Sequence, residues 1–166
     1  MKVTVIGGSG HVGTYLVPRL WEAGHESAAV SRGQREPYLP HAAWKRVEHV
    51  ILNREPAERE GTFARRIAEM RRDVVIDLIS FRPDSSRMLV DALRGRVRHF
   101  LHCGTIWVKG WLVVAPTTED TPSEPFGDYG VSKEAIEDCL LDEARRGTAR
   151  PRPSTRATSS APATSP

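Results

Sequence analysis

The stretch that decides the fold is residues 2–13, which read KVTVIGGSGHVG. Its apolar first half predicts a buried strand, and an amphipathic helix is predicted from about residue 11. Glycine suits the turn between them because a Cβ would block a pyrophosphate, while the helix N-terminus supplies unpaired N–H groups and a positive dipole. We therefore predict a dinucleotide-binding turn, with a purely structural glycine turn as the alternative. It consists of Gly7, Gly8, Ser9, Gly10, His11, Val12 and Gly13.

Outward from this turn, short apolar runs alternate with amphipathic stretches. The runs predict strands at about residues 2–6, 26–30, 46–52, 73–79 and 98–103, and the stretches predict helices at about 11–23, 56–72, 84–94 and 129–146. Pro18 is expected to kink the first helix rather than to end it. Apolar strands alternating with helices indicate a parallel sheet covered on both faces. The predicted fold is an α/β, Rossmann-type, doubly wound parallel sheet, incomplete at about five strands.

Charge and composition exclude several classes of protein. The net charge of +3 comes from three arginines in residues 148–166, so the rest of the chain is neutral and a nucleic-acid-binding face is not expected. No apolar run is long enough to span a membrane, and no signal peptide is recognisable. Cys103 and Cys139 have no metal-ligand spacing, so we expect reduced thiols, no metal site and a cytoplasmic protein.

Residues after the second and third predicted strands bear on which dinucleotide binds. An acidic residue at the end of the second strand would bond the ribose 2′-hydroxyl of NAD, but here the sequence is Ser31-Arg32. Because arginine can pair with a 2′-phosphate, NADP is favoured, with NAD possible and a solvated surface arginine as the alternative. Asn53 follows the third strand and could contact the adenine edge, or could be a simple turn residue.

A Tyr-x-x-x-Lys pattern, Tyr129 to Lys133, opens the last predicted helix. This spacing places both side chains on one helical face. An ammonium beside the phenol would lower the tyrosine pKa and give an acid/base that works near neutral pH. An ordinary amphipathic helix start is the alternative.

With both motifs present, the chain resembles the extended short-chain dehydrogenase/reductases, specifically the NAD-dependent epimerase/dehydratases that act on nucleotide sugars. The resemblance covers residues 1–147 and includes the strand 73–79, residues 118–122 (TEDTP) and the segment 100–110 (FLHCGTIWVKG). It implies a nicotinamide cofactor, a nucleotide-sugar-like substrate and hydride transfer. Tyr129 would exchange a proton with a substrate hydroxyl, and Lys133 would lower its pKa and contact the nicotinamide ribose. Thr105 would orient the substrate oxygen.

Two residues depart from the family's usual pattern. Gly104 and Lys109 stand where serine and tyrosine are commoner, which affects sugar-specific contacts rather than the hydroxyl at Thr105.

His99 and His102 flank a strand without a third ligand at zinc spacing, so we interpret them as packing or surface histidines. Asp77 and Ser80 end the fourth strand and are expected only to line the pocket.

The chain divides at about residue 147. Residues 1–147 are predicted to form the NAD(P)-binding domain, and residues 148–166, which contain only Thr, Ala, Arg, Pro and Ser, are predicted to be disordered. The sixth strand and sugar-binding region of such enzymes are not recognisable, so a truncated, frameshifted chain is expected. Homodimerisation through an uncovered edge is possible. The alternatives to an enzyme are a non-catalytic NADP-binding sensor and a decayed product; Thr105, Tyr129 and Lys133 together favour the enzyme.

Overall fold

A computed structural model describes residues 1–111 and 116–146 as strands and helices that alternate along the chain. The strands are β1 (Lys2–Ile6), β2 (Glu26–Ser31), β3 (Glu48–Ile51), β4 (Val74–Asp77) and β5 (His99–His102). The helices are α1 (His11–Glu22), α2 (Arg54–Arg59), α3 (Phe63–Glu69), α4 (Pro83–Leu93) and α5 (Gly127–Arg145). Short 3-10 helices span Ala42–Lys45 and Ile106–Lys109.

The five strands form one parallel sheet in the order β3-β2-β1-β4-β5. Ile6 at the end of β1 lies between Val30 of β2 and Asp77 of β4. The chain therefore winds outward from β1 in both directions, and the carboxyl ends of β1 and β4 border the switch point where such sheets bind ligands. The predicted α/β doubly wound fold is confirmed.

Two apolar clusters lie on opposite faces of the sheet, because successive side chains of a strand point in opposite directions. Val3 and Val5 of β1 pack with Val17 of α1 on one face, whereas Ile6 belongs to the cluster around Phe63 and Leu89 on the other. Burial on both faces explains why β1 reads as a nearly continuous apolar run.

The predicted elements differ from the structure in one helix and at several ends. The stretch 56–72, predicted as one helix, is the two helices α2 and α3. Gly61 separates them because its φ of +67° lies in the left-handed region, which ends a helix. The helix α1 runs through Pro18 without a break, as predicted. The predicted disordered segment 148–166 lies outside the described residues.

Candidate functional site

The turn between β1 and α1 is closed so tightly that side chains at its glycines would collide with backbone or core. A Cβ at Gly13 would lie 2.3 Å from the Gly8 carbonyl oxygen, and one at Gly8 would lie 2.7 Å from the Ala29 Cβ. The amides of Gly7 and Gly8 both donate to the Val30 carbonyl, at 2.9 and 3.2 Å, which fixes the turn to β2. The N-cap residue of α1 is Gly10, with no side-chain cap. The first turn of α1 therefore presents backbone N–H groups suited to an anion such as a diphosphate.

Three predicted cofactor-binding residues lie at the carboxyl ends of β2 and β3, on the same edge of the sheet. Ser31 ends β2, and its Oγ accepts a hydrogen bond of 3.2 Å from the Gly33 amide, which orders the turn. Arg32 is exposed in that turn, and exposed Asn53 precedes α2 without capping it through its side chain. Their roles toward a nucleotide stay predictions.

The predicted catalytic residues lie on two elements that pack together. Thr105 caps the 3-10 helix Ile106–Lys109, and its Oγ1 accepts from the Trp107 amide at 3.4 Å. This helix packs on the first turn of α5, where a Cβ at Gly130 would lie 3.0 Å from the Trp107 carbonyl oxygen. Tyr129 precedes Gly130, is 45% exposed, and has its ring 6.3 Å from that of Phe81. The small residue next to Tyr129 thus allows the Thr105 segment to approach the tyrosine.

Lys133, one helical turn after Tyr129, is 3% exposed and reaches back to the sheet. Its Nζ donates to the carbonyl oxygens of Ser80 at 3.1 Å and Cys103 at 2.8 Å, and to His102 Nε2 at 3.0 Å. Lys133 therefore joins α5 to the carboxyl ends of β4 and β5. Among the described residues, no hydrogen bond joins Lys133 to Tyr129, so the predicted action of the lysine on the tyrosine hydroxyl stays a prediction.

The surroundings of Lys133 disfavour extra positive charge. Burial lowers the pKa of Lys133 from its ordinary value of 10.5. Burial, followed by the charges of Lys133 and Arg54, lowers the pKa of His102 to about 3. His102 is consequently neutral near pH 7 and able to accept the lysine's hydrogen bond at Nε2.

A buried network that the sequence did not reveal supports the turn after β4. The Arg54 guanidinium lies 2.9 Å from both carboxylate oxygens of fully buried Asp77, and also bonds the hydroxyls of Ser80 and Ser85. Burial raises the pKa of Asp77, and Arg54 opposes that rise. Arg54 also bonds Glu58 of its own helix at 2.6 Å, an i,i+4 spacing that the sequence does show. The partners that bury Arg54 are Asp77 of β4, Ser80 of the turn after it and Ser85 of α4, so the local sequence does not reveal them.

The turn after β4 contacts both halves of the site. A Cβ at Gly7 would lie 2.7 Å from Ile79 Cγ2, so this turn packs directly on the glycine turn. The next residue, Ser80, gives its carbonyl to Lys133. Asp77 Oδ1 accepts from the Ile79 amide at 3.1 Å and so links the turn to the Arg54 network. Asp77 and Ser80, expected only to line a pocket, in fact connect the glycine turn with the Tyr-x-x-x-Lys helix.

Lys109, which departs from the family pattern, is hydrogen-bonded to the loop before α5. Its Nζ donates to the carbonyls of Glu119, at 3.2 Å, and Thr121. The Glu124 amide donates to the Val108 carbonyl at 3.0 Å. The ammonium at this position therefore has a structural role within the TEDTP segment.

The described residues offer neither a metal site nor a membrane-spanning helix. Within residues 1–111 and 116–146, no group of three histidine, cysteine or acidic side chains could hold a metal ion. No helix in that part of the chain has the length and apolar character needed to cross a membrane.

The chain is similar to a known family of sequences. The model of the NAD dependent epimerase/dehydratase family matches residues 3–154. The 2′-dehydrokanamycin reductase of Streptomyces kanamyceticus is 29% identical over 150 residues, which are 90% of this chain and 40% of the reductase. The chain thus spans less than half the length of this curated relative.

Solved structures share the fold. UDP-glucose 4-epimerase from Thermotoga maritima, solved with UDP-glucose, superposes with a TM-score of 0.70 at 23% identity, over 87% of this chain and 52% of the epimerase. The Bordetella bronchiseptica enzyme WbmG, solved in complex with NAD, gives a TM-score of 0.65 at 22% identity, over 86% of this chain and 49% of WbmG. At these identities the similarity is one of fold.

Proposed function

The chain belongs to the NAD dependent epimerase/dehydratase family, and from this premise we propose that it binds a nicotinamide dinucleotide and uses it for hydride transfer at a hydroxyl-bearing carbon. The main support for the proposal is that the turn after β4 contacts both the glycine turn and Lys133. Through Ile79 it packs on the glycine turn at Gly7, and through the Ser80 carbonyl it binds Lys133. The residues suited to a diphosphate and those suited to proton transfer therefore contact the same turn, at the carboxyl end of β4.

The residues present fit the cofactor. Gly8 and Gly13 let the turn close against Ala29 and the Gly8 carbonyl, where a Cβ would clash, and the uncapped N-terminus of α1 is adjacent. In the proposal residues 7–13 contact the diphosphate, Arg32 and Ser31 contact the adenosine ribose, and Asn53 contacts the adenine edge. The bound nicotinamide would accept or return the hydride.

The proposed chemistry assigns the proton to this chain's own side chains. Tyr129, as phenolate, takes the proton of the substrate hydroxyl at Oη, and it returns that proton when the reaction runs backward. Thr105 orients the substrate oxygen, and Lys133 supplies positive charge and contacts the nicotinamide ribose. The 45% exposure of Tyr129 supports this role because the side chain is not enclosed by the core.

We propose a nucleotide-sugar-like substrate. Support comes from the family and from the curated relative, which is named as a 2′-dehydrokanamycin reductase. The described residues supply the cofactor side and the proposed reacting side chains of such a site, and the chain spans 40% of the length of the curated relative. This part of the proposal treats the chain as a fragment of the family's full site.

A glycine substitution tests the proposed cofactor site. We expect Gly13→Ala to weaken NADP binding about tenfold or more, because the new Cβ would displace the Gly8 carbonyl and with it the amides around the diphosphate. Isothermal titration of NADP and NAD into each protein measures the effect. Wild-type protein that binds neither dinucleotide would contradict the proposal.

The control for that experiment is Gly24→Ala. Gly24 has a φ of +78° and no atom within 4 Å of an added Cβ, so this substitution strains the backbone away from the glycine turn. It should lower thermal stability and leave dinucleotide affinity unchanged. Equal loss of affinity in both variants would assign the Gly13→Ala effect to general destabilisation.

Cofactor preference is tested at Arg32. We expect Arg32→Ala to weaken NADP binding about tenfold or more and to leave NAD binding nearly unchanged, because the guanidinium would pair with the 2′-phosphate alone. Arg65→Ala on α3 removes the same charge from an exposed position and serves as control. If Arg32→Ala changes the affinities for NADP and NAD by the same factor, Arg32 does not bind the 2′-phosphate.

A further inference from the structure

All three protons of the Lys133 ammonium are used in hydrogen bonds in this structure. A lysine ammonium donates three hydrogen bonds. The acceptors here are the Ser80 carbonyl, the Cys103 carbonyl and His102 Nε2. Contact between Lys133 and a ribose hydroxyl, as in the proposed function, therefore requires one of these three acceptors to be exchanged.

His102 is the acceptor that can be exchanged. The two carbonyls belong to the backbone that follows β4 and β5, whereas the imidazole can turn about its side-chain bonds. Because Nε2 accepts from the ammonium, the proton of the neutral ring is on Nδ1. Nδ1 is buried and has no hydrogen-bond partner in the part of the chain that the structure describes. Rotation of the ring away from Lys133 consequently breaks a single hydrogen bond.

We propose that His102 is a positioning residue that acts through Lys133. In the cofactor-free chain its Nε2 binds the third proton of the ammonium and keeps Nζ at the carboxyl ends of β4 and β5. When the dinucleotide binds, the imidazole turns aside and a hydroxyl of the nicotinamide ribose replaces it. The exchange step rests on the proposed function, whereas the His102–Lys133 hydrogen bond stands on the structure alone.

Two substitutions separate the hydrogen bond from the volume of the ring. His102→Gln keeps an acceptor, and His102→Leu removes it while filling a similar space. The chain has four lysines, so the NMR signal of the Lys133 Cε can be assigned. The pH dependence of its chemical shift in the cofactor-free chain gives the Lys133 pKa, which reports the hydrogen bond directly. We expect the Lys133 pKa to be about one unit lower in the leucine variant and unchanged in the glutamine variant.

Other groups near Lys133 are the same in both variants, so they cancel in this comparison. The titratable and charged groups that face Lys133 are His102 and Cys103 at the end of β5, Asp77 of β4, Arg54 of α2 and Glu137 of α5. A Lys133 titration that is identical in the wild-type, glutamine and leucine proteins would overturn the proposal.

Cofactor affinity tests the exchange. We expect the leucine variant to bind NADP about tenfold more tightly than wild type, because an unpaired ammonium proton gains its acceptor on binding. The glutamine variant should bind as wild type does. Equal affinity of the two variants contradicts the exchange. A wild-type chain that binds no dinucleotide defeats the proposed function, and the exchange with it, while the titration still decides the hydrogen bond.

The wild-type chain provides a test that does not depend on the variants folding. With the imidazole labelled with ¹⁵N, we expect His102 to be neutral at pH 7, with the proton on Nδ1 and an accepting Nε2. The Nε2 resonance should move when NADP is added. A proton on Nε2 in the cofactor-free chain would exclude the hydrogen bond from Lys133 and overturn the proposal.

Discussion

Tyr129→Phe is expected to slow hydride transfer by about 10²- to 10⁴-fold, the usual contribution of a positioned acid/base. The substitution deletes one hydroxyl from a side chain that is 45% exposed, so packing with Phe81 and the fold should be unaffected. The rate is measured by the absorbance of the reduced nicotinamide with UDP-glucose as probe substrate. Dinucleotide affinity, measured by titration, should remain within about twofold, because no charge-assisted bond is lost.

Tyr15→Phe is the matched control for this experiment. Tyr15 is 49% exposed on α1, and it loses the same atom at a position outside the proposed chemistry. Its rate should equal that of wild type. If Tyr129→Phe reduces affinity and rate by the same factor, the hydroxyl serves in binding and the proton-transfer role is wrong.

Arg54→Met is expected to cost about 3–5 kcal/mol of folding free energy, because it leaves the Asp77 carboxylate buried without its partner. Asp77 is completely buried, and both of its oxygens lie 2.9 Å from Arg54. Domains are stable by only about 5–15 kcal/mol, so this loss is a large fraction of the total. Urea denaturation followed by circular dichroism measures it.

Arg59→Met on the same helix controls for the change of residue. Arg59 pairs with Glu55 on the surface, where both side chains are over two-thirds exposed, and such pairs contribute at most about 1 kcal/mol. The double variant Arg54→Met with Asp77→Leu removes both members of this pair and should recover part of the lost stability, while Glu58, which also bonds Arg54 at 2.6 Å, stays without that partner. Equal costs for Arg54→Met and Arg59→Met would show that the buried pair does not matter.

The same network connects stability with the site. The Asp77 carboxylate accepts from the Ile79 amide, and Arg54 bonds the Ser80 hydroxyl. These two residues shape the turn that contacts Gly7 and presents a carbonyl to Lys133. A residue distant from the reacting atoms thereby fixes the relation between the glycine turn and α5.

Local patterns in the sequence were sufficient to predict the five strands, the glycine turn and the order of the elements. A buried parallel strand needs a run of apolar residues, and a close turn before a helix needs glycine, so both leave short-range signals. The break between α2 and α3 has such a signal in Gly61, but the amphipathic pattern on both sides obscured it.

The sequence by itself thus determined the sheet, its connections and the positions of Tyr129 and Lys133 on one helix. Only the tertiary structure decided which atoms these side chains meet. Lys133 is bonded to residues 30, 31 and 53 positions earlier, and Arg54 is bonded to Asp77, 23 positions later. Strands and turns are encoded by neighbours along the chain, whereas the partners of a buried charge depend on which strand ends the folded sheet brings side by side.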